Sequence, residues 1–279
     1  MCALPARTRP GDRLILAYHN VVPTDWAPRG DQSLHLPVDR FEDQLRMIRE
    51  EADIVPLMEL LTMHAPNARR VAITFDDAYA SALALGVAAC VAAGAPCTIF
   101  VTPCLLGCVP YWDRAADAGR WSAADRERFL WQHRGVPPAE DDTGYSSCAT
   151  LRIAEYSQLH AAVDATPVSI GNHTMHHRNL GALSAEEASE EIAKADHWLR
   201  QRFPAQYVPV LANPFGLSAK DAESACRIAA IKFALGVTGG WIASGASPER
   251  MQMPRWNVPA GVSREGFSLR LRGRMGSRS

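Results

Sequence analysis

Side chains that could perform chemistry follow several apolar runs of the sequence, at the points where those runs end. Asp76 and Asp77 come directly after the run VAITF, and His173, His176 and His177 lie in the segment HTMHH. Adjacent carboxylates repel each other and need a reason to follow an apolar strand, which a metal ion supplies. Two imidazoles and one carboxylate make the ligand set of a catalytic zinc site, which leaves a position for water and substrate. The sequence therefore predicts a metal site.

Two histidine pairs can supply the imidazoles. His173 and His177 are four residues apart and His173 and His176 are three apart, so either pair can face one side of a single turn. Alone, the aspartate pair would be interpreted as a helix N-cap with a solvated neighbour, and the histidines as a polar loop. The combination of both, after different strands, favours a metal.

The elements that must position these groups are short apolar runs that alternate with helical patterns. The runs span residues 14–18, 71–75, 98–101, 168–171, 208–212 and 233–237. This alternation predicts an α/β fold of parallel strands with crossover helices, whose carboxyl ends converge on one mouth. Phe41, Leu45 and Ile48 mark one helix. Ser184 and Glu187 form a capping box before a second helix, which Pro204 ends.

The segment from about 111 to 156 breaks this rhythm. It is rich in Asp, Arg, Trp, Gly and Pro, and we interpret it as an insertion after the third strand that forms a lid or a wall of a substrate cleft. No Gly/Ser linker or repeat divides the chain, so residues 1–279 are predicted to form one domain. The arginine-rich segment from about 264 to 279 is predicted to be a solvated tail.

Composition excludes several classes of protein. With 279 residues, of which 47% are hydrophobic, the chain can bury a core, which excludes intrinsic disorder. A net charge of -1 gives no reason to expect a nucleic-acid partner. The apolar runs are too short for a signal peptide or a membrane span. Seven cysteines without a C-x-x-C pair fit a reducing compartment, so we expect a cytoplasmic protein; Cys104 and Cys108 are expected to be buried.

Two of these motifs resemble a known family. TFDDAY at residues 74–79 resembles the TFDDG motif of the polysaccharide deacetylases, also called NodB-homology or carbohydrate esterase family 4 enzymes, and HTMHH fits their H-(S/T)-x-x-H motif. Further blocks are similar to a subgroup that acts in bacterial surface-sugar pathways. They are LAYHNV, AAGAPCTIFVTP, YWD (111–113), LANPFG (211–216) and MPRWNV (253–258), so the resemblance spans residues 14–258.

The resemblance implies a distorted (β/α)7-8 barrel, a divalent metal that is usually Zn²⁺, and hydrolysis of N-acetyl groups on amino sugars. Carried over to this chain, Asp77, His173 and His177 would bind the metal and Asp76 would be the general base. His176 would be a spectator, although a swap of ligands between the adjacent histidines stays open.

The chain departs from the family pattern in three places. Ala78 replaces the usual glycine, which matters if the backbone there has a positive φ. The third motif lacks its arginine, so Arg255 is our candidate to orient Asp76, with a surface arginine as the alternative. No histidine follows His197, which removes the usual catalytic acid. His19, at the end of the first strand, is the candidate acid, with a histidine that merely bonds the next loop as the alternative.

The residues expected to contact substrate are Asn213, Trp112, Trp256 and Phe215, whose N–H is the candidate oxyanion donor. The expected function is N-deacetylation of an acetamido sugar in lipopolysaccharide or capsule biosynthesis, with the sugar free, nucleotide-linked or lipid-linked. Three alternatives stay open: a deformylase or another amidohydrolase, a glycan-binding pseudoenzyme, and a metal-binding scaffold protein.

Overall fold

The computed structural model describes residues 8–63, 66–138, 148–164 and 168–274. Its strands are mostly short and fully buried, as expected for parallel strands covered on both faces. All six predicted strands form, together with shorter strands that no sequence pattern indicated. They are β1 (Arg13–Tyr18), β2 (Asn20–Val22), β3 (His35–Pro37), β4 (Asp53–Ile54), β5 (Arg70–Phe75), β6 (Cys97–Val101), β7 (Val168–Asn172), β8 (Tyr207–Ala212), β9 (Phe233–Leu235) and β10 (Trp256–Asn257).

The main sheet is parallel and curls into a distorted barrel, which confirms the predicted fold class. Its order is β10-β1-β5-β6-β7-β8-β9, with β4 on β5, while β2 and β3 pair separately. The segment around Met253 closes the barrel. Met253 forms a β-bridge with Leu235 of β9, and β10, three residues later, pairs with β1. All the named pairings run parallel, so the strands share one carboxyl end.

Helices cover the outside of the sheet. Their residues are α1 (Val38–Glu51), α2 (Leu57–Thr62), α3 (Ala88–Ala92), α4 (Tyr111–Asp117), α5 (Ala123–Glu127), α6 (Tyr156–Val163), α7 (Ala185–Arg202), α8 (Ala222–Arg227) and α9 (Arg264–Leu271). Both predicted helices are confirmed, and α7 begins with the predicted capping box at Ser184 and Glu187. No helix in the described ranges is long and apolar enough to cross a membrane.

Alternate residues of β1, β5 and β6 enter two separate clusters of the core. Leu14, Val71 and Ile99 pack in one cluster with residues of α1 and α9, whereas Ile15 and Phe100 belong to another that includes residues of α2. This division follows from the period of two in a strand, which sends successive side chains to opposite faces. These strands are thus packed on both faces.

The segment predicted to be an insertion follows β6. It contains α4 and α5, followed by a π-helical turn at Arg128–Gln132. Residues 139–147 of this segment lie outside the described residues.

The prediction of a solvated tail at 264–279 is wrong for its first half, since α9 occupies Arg264–Leu271. Ser263 caps this helix by accepting a hydrogen bond from the N–H of Gly266. Phe267 and Leu271 lie one turn apart and are fully buried against the core. In the sequence this apolar pair stands among arginines, which favoured a solvated tail; residues 275–279, including Arg278, lie outside the described residues.

The prediction of burial is also wrong for Cys104 and Cys108. Both cysteines are exposed, because the segment after β6 makes only a short 3₁₀ turn at Pro103–Leu105 instead of a helix with a buried face. The cysteines of the described residues are free thiols.

Candidate active site

The predicted reactive residues converge at the carboxyl end of the barrel. Asp76 and Asp77 follow β5, His173 follows β7, and Phe215 lies in the turn after β8. Together with His19 they line a cavity of about 260 Å³. A larger cavity of about 1000 Å³ contains Arg13 and Phe233, the first residues of β1 and β9, and so lies at the opposite end of the barrel from this chemistry.

Asp77, His173 and His177 form a compact, buried group of metal-binding type. One potential ligand atom from each lies within 4.8 Å of the others. The Nε2 atoms of His173 and His177 lie 3.4 and 3.2 Å from Asp77 Oδ1. That oxygen is buried and has no hydrogen-bond partner among the described residues. An orphaned carboxylate oxygen between two imidazole nitrogens fits a divalent cation.

The backbone fixes which nitrogen of His173 could bind a cation. Its Nδ1 lies 2.8 Å from the carbonyl oxygen of Ala212, and a carbonyl can only accept, so Nδ1 carries the proton. The neutral ring then keeps a free lone pair on Nε2, on the side of Asp77. This is the arrangement by which outer contacts orient histidine ligands of metals.

Charge balance in this group favours an ionised Asp77. Burial raises the pKa of Asp77, but the neighbouring His177 and His173 outweigh it and hold the pKa well below its usual range. Burial lowers the pKa of His177. Burial also acts to lower the pKa of His173, but Asp77 and Asp76 outweigh it and raise that pKa. A cation at Nε2 of His173 therefore competes with a proton for the same lone pair, and its affinity should fall in acid.

The loops that carry these residues have left-handed backbone conformations. Asp77 and Ala78 have φ of 67° and 62°, Thr174 and His177 have 64° and 56°, and Phe215 has 57°. Such values are uncommon for residues other than glycine and concentrate at functional sites. Ala78, which stands where the family usually has glycine, therefore does have a positive φ. Two hydrogen bonds hold it: its N–H donates to Asp76 O, and its carbonyl accepts from the N–H of Ala154.

Polar side chains around the HTMHH segment hold its shape. Asn172 Oδ1 accepts from the N–H of Thr174 at 2.8 Å, and Thr174 Oγ1 accepts from the N–H of His177 at 3.1 Å. His176 turns away: its Nδ1 lies 2.8 Å from Glu191 Oε1 on α7, and it does not line the cavity. The structure thus brings together His173 and His177, one of the two pairs that the spacing allowed.

Arg255 lies directly against Asp76. Its Nη1 and Nη2 donate to the two oxygens of Asp76, both at 2.7 Å, and Arg255 is fully buried. Further hydrogen bonds to Gly236 O and Thr74 Oγ1 hold the guanidinium in place. Burial raises the pKa of Asp76, but the charges of Arg255, His173 and His19 together lower it below its usual range. Asp76 is therefore an oriented, ionised carboxylate.

His19 is a further titratable side chain close to Asp76. Its Nε2 lies 4.0 Å from Asp76 Oδ2, which is too long for a hydrogen bond, and its side chain is only 15% exposed. Its side chain lines the cavity and has no closer polar partner among the described residues, so the imidazole borders a space that a substrate can enter.

Aromatic rings enclose His177. The ring centroids of Trp112 and Phe215 lie 4.7 and 4.5 Å from that of His177. Trp112 Nε1 donates to Tyr79 Oη at 2.7 Å. Asn213 is buried at the cavity, and the N–H of Phe215 has no acceptor among the described residues. These features leave the predicted oxyanion donor available.

The prediction that Trp256 contacts substrate is wrong. Its ring packs on Phe267 at 5.2 Å and lies under the guanidinium of Arg270 at 4.7 Å, away from the cavity. Because side chains alternate along a strand, the neighbouring Asn257 lines the cavity instead. Since Arg255 faces the inside of the barrel, the alternation of side chains along the strand places Trp256 on the outside and Asn257 on the inside.

The sequence analysis also missed several residues that line the cavity. They are Asp31, Ser33, Leu34, Trp121, Arg126, Leu130, Gly216 and Val237. The insertion was expected to form a lid or a wall of the cleft, but nothing in its spacing singled out Trp121 or Arg126. Asp31 lies in a polar loop without periodicity.

A buried polar chain explains the YWD block. Asp113 accepts from Tyr79 Oη at 2.7 Å and its other oxygen lies 3.0 Å from His35 Nε2; all three residues are buried. His35 Nδ1 in turn lies 3.2 Å from Asn20 Nδ2. Through Tyr79 this chain reaches Trp112 and so fixes the ring beside His177.

Comparisons with known proteins find a matching family profile and solved structures with the same fold. The sequence profile of the polysaccharide deacetylase family matches residues 145–234, about a third of the chain, which includes His173, His177 and Asn213. A search of curated proteins finds no match.

Solved structures with the same fold are found over nearly the full chain. The deacetylase PplD from Streptococcus pyogenes, in complex with acetate, matches with a TM-score of 0.65 at 16% identity, over 94% of this chain and 99% of its own. IcaB from Ammonifex degensii matches with a TM-score of 0.67 at 15% identity, over 96% and 98%. The BpsB deacetylase domain from Bordetella bronchiseptica matches with 0.59 at 14%, over 91% and 98%. At these identities the likeness shows the fold.

Proposed function

We propose that this chain, a member of the polysaccharide deacetylase family, is a metal-dependent hydrolase that removes the N-acetyl group from an amino sugar. The observation that carries the proposal is the Asp77, His173 and His177 group beside the ion pair of Asp76 and Arg255, at one cavity. A role in the assembly of lipopolysaccharide or capsule rests on the similarity of the sequence blocks to the surface-sugar subgroup.

The proposed metal is a divalent ion, with Zn²⁺ favoured by the nitrogen and carboxylate ligands. When bound by Asp77, His173 and His177, such an ion polarises a carbonyl oxygen and lowers the pKa of a bound water. Asp76 accepts the proton of the attacking water, and Arg255 keeps the Asp76 carboxylate charged and oriented for that purpose. The N–H of Phe215 donates to the oxygen on which negative charge develops.

Breaking the C–N bond requires an acid, because an amide nitrogen is a poor leaving group until it is protonated. His19 is proposed for this step, since its imidazole lines the cavity next to Asp76. The proton passes from His19 to the nitrogen of the departing amino sugar, and the products are acetate and a free amine.

A direct test supplies the purified protein, loaded with Zn²⁺, Co²⁺ or Mn²⁺, with N-acetylated and N-formylated sugars, sugar nucleotides and oligosaccharides. Release of acetate together with a free amine is the expected result. Release of formate alone would favour a deformylase, and bound metal without hydrolysis would favour a glycan-binding protein.

His19→Ala should lower turnover of the amide by about 10²-fold, because the leaving nitrogen loses its proton donor. Turnover of p-nitrophenyl acetate should change far less, since nitrophenolate leaves without protonation. His160→Ala is a suitable control, because His160 is an exposed histidine on α6. Equal losses on amide and ester would remove His19 from the acid role.

Arg255→Ala should shift the acidic limb of the pH profile of kcat/KM upward. Arg255 lowers the pKa of Asp76, so its loss lets Asp76 take up a proton at higher pH and stop acting as a base. The variant should also lose about 3–5 kcal/mol of unfolding free energy, because a buried carboxylate is left without its partner. Arg255→Lys keeps the charge but not the contact with both oxygens of Asp76. Its acidic limb and its unfolding free energy should therefore lie between those of the wild type and Arg255→Ala. An acidic limb that stays where it is in the wild type would leave Arg255 a purely structural role.

A further inference from the structure

The part of the cavity formed by Trp121, Arg126 and Leu130 of the insertion has no role in the proposed reaction. We propose that this wall restricts the enzyme to one terminal acetamido sugar, and that Arg126 binds the hydroxyl groups of that sugar. The inference rests on the proposed function and adds to it the class of substrate: a chain end or a sugar on a small carrier, as opposed to an internal unit of a polymer.

The insertion spans the cavity from one side of the barrel to the other. At one end Arg126 and Trp121 bind Asp31, which lies in the loop between β2 and β3. At the other end the ring of Phe129 packs edge-on against Phe215, in the turn after β8, with 6.0 Å between centroids. These contacts tie the insertion both to the loop between β2 and β3 and to the turn after β8. The insertion therefore forms an arch over this part of the cavity.

Asp31 makes one end of the arch rigid. Its Oδ1 accepts from Ser33 Oγ at 2.7 Å, and its Oδ2 accepts from Trp121 Nε1 at 2.8 Å and Arg126 Nη2 at 3.0 Å. The Asp31 side chain is only 10% exposed. A carboxylate with this many donors joins the loop and the insertion into one wall, so the wall does not need a substrate to form it.

Arg126 has N–H groups that make no hydrogen bond within the described residues. Only its Nη2 is bonded within the described residues, while the side chain is 46% exposed and lines the cavity. Its guanidinium lies 5.5 Å from the centroid of the Trp121 ring, which limits where it can point. Because Asp31 already balances its charge, the remaining N–H groups suit neutral acceptors such as sugar hydroxyls better than a phosphate.

The volume of the cavity agrees with a single sugar unit. Pockets for drug-sized ligands usually have about 300–1,000 Å³, and this cavity has about 260 Å³. It must hold the acetyl group next to Asp77 as well as the ring that carries it. A polymer that reacts at an internal unit needs room for a sugar unit on each side of the reacting one. The arch fills the space on one of these sides.

The first test compares the metal-loaded wild type on N-acetylglucosamine and N-acetylgalactosamine, their nucleotide derivatives, and N-acetylglucosamine oligomers of two to five units. Acetate loss confined to one terminal unit is expected, with kcat/KM nearly independent of oligomer length. Deacetylation of internal units, mapped by mass spectrometry, would overturn the inference and leave the proposed function intact. No acetate from any of these compounds would overturn the proposed function itself, and the inference with it.

The second test measures Arg126→Ala and Arg126→Gln on the best sugar substrate. KM should rise about 10-fold or more, as expected for loss of a hydrogen bond from a charged donor, while kcat and the rate on p-nitrophenyl acetate stay close to wild type. Arg128→Ala is the matched control, since Arg128 is an exposed arginine of the same insertion that pairs with Asp125 and does not line the cavity. An unchanged KM in a folded Arg126→Gln protein would overturn the role of Arg126.

Discussion

Asp76→Asn should keep its metal and lose about 10²-fold or more in kcat, because an amide cannot accept a proton from the attacking water. The substitution preserves the shape of the side chain beside Arg255, and the proposed metal ligands are other residues. Kinetics on the amide substrate and elemental analysis of the same sample check both halves of the prediction.

The asparagine also removes the charge that balances the buried Arg255, so a loss of stability must be separated from a loss of chemistry. Circular dichroism and an unfolding curve establish that the assayed protein is folded. Asp43→Asn is a control for the same chemical change, because Asp43 pairs with surface arginines on the exposed side of α1. A folded Asp76→Asn protein with full activity and full metal content would assign the base to another group.

Asp77→Ala and His173→Ala should each reduce the metal content from about one ion per chain to near zero, and turnover should fall with it. Each substitution removes one of three ligands, and alanine offers no replacement. Inductively coupled plasma mass spectrometry of purified variants measures the content. His176→Ala should retain the metal, since its imidazole contacts Glu191 outside the cavity. Wild-type content in both alanine variants would place the metal elsewhere.

Some of this architecture could be inferred from sequence because it depends on local pattern. Buried parallel strands are short apolar runs, and the polar residues after them lie at one end of the sheet by geometry. That reasoning placed Asp76, Asp77 and His173 together. Arg255 was chosen because the third motif lacked its arginine, and the structure places it against Asp76, although the role of the contact is still a prediction.

Other features depended on tertiary contacts that no pattern expresses. Trp256 was placed at the cavity because it is aromatic, but the pleat of β10 turns it outward onto Phe267. Asp31 and Arg126 meet only because the insertion folds back over a distant loop. The arginine-rich composition of residues 264–279 favoured a solvated tail. The helix α9 forms there because two apolar residues among the arginines pack against the core.

The closure of the barrel has a consequence for the order in which the enzyme can become competent during folding. The register pairs Leu16 with Trp256, so β10 can add only after almost the whole described chain has been made. The residues proposed to hold the metal all precede residue 178, whereas the cation that balances Asp76 arrives with this last strand. Contacts of such long separation form slowly. A nascent chain can therefore bring the proposed metal ligands together before Arg255 orients Asp76, so the complete candidate site exists only once the barrel has closed.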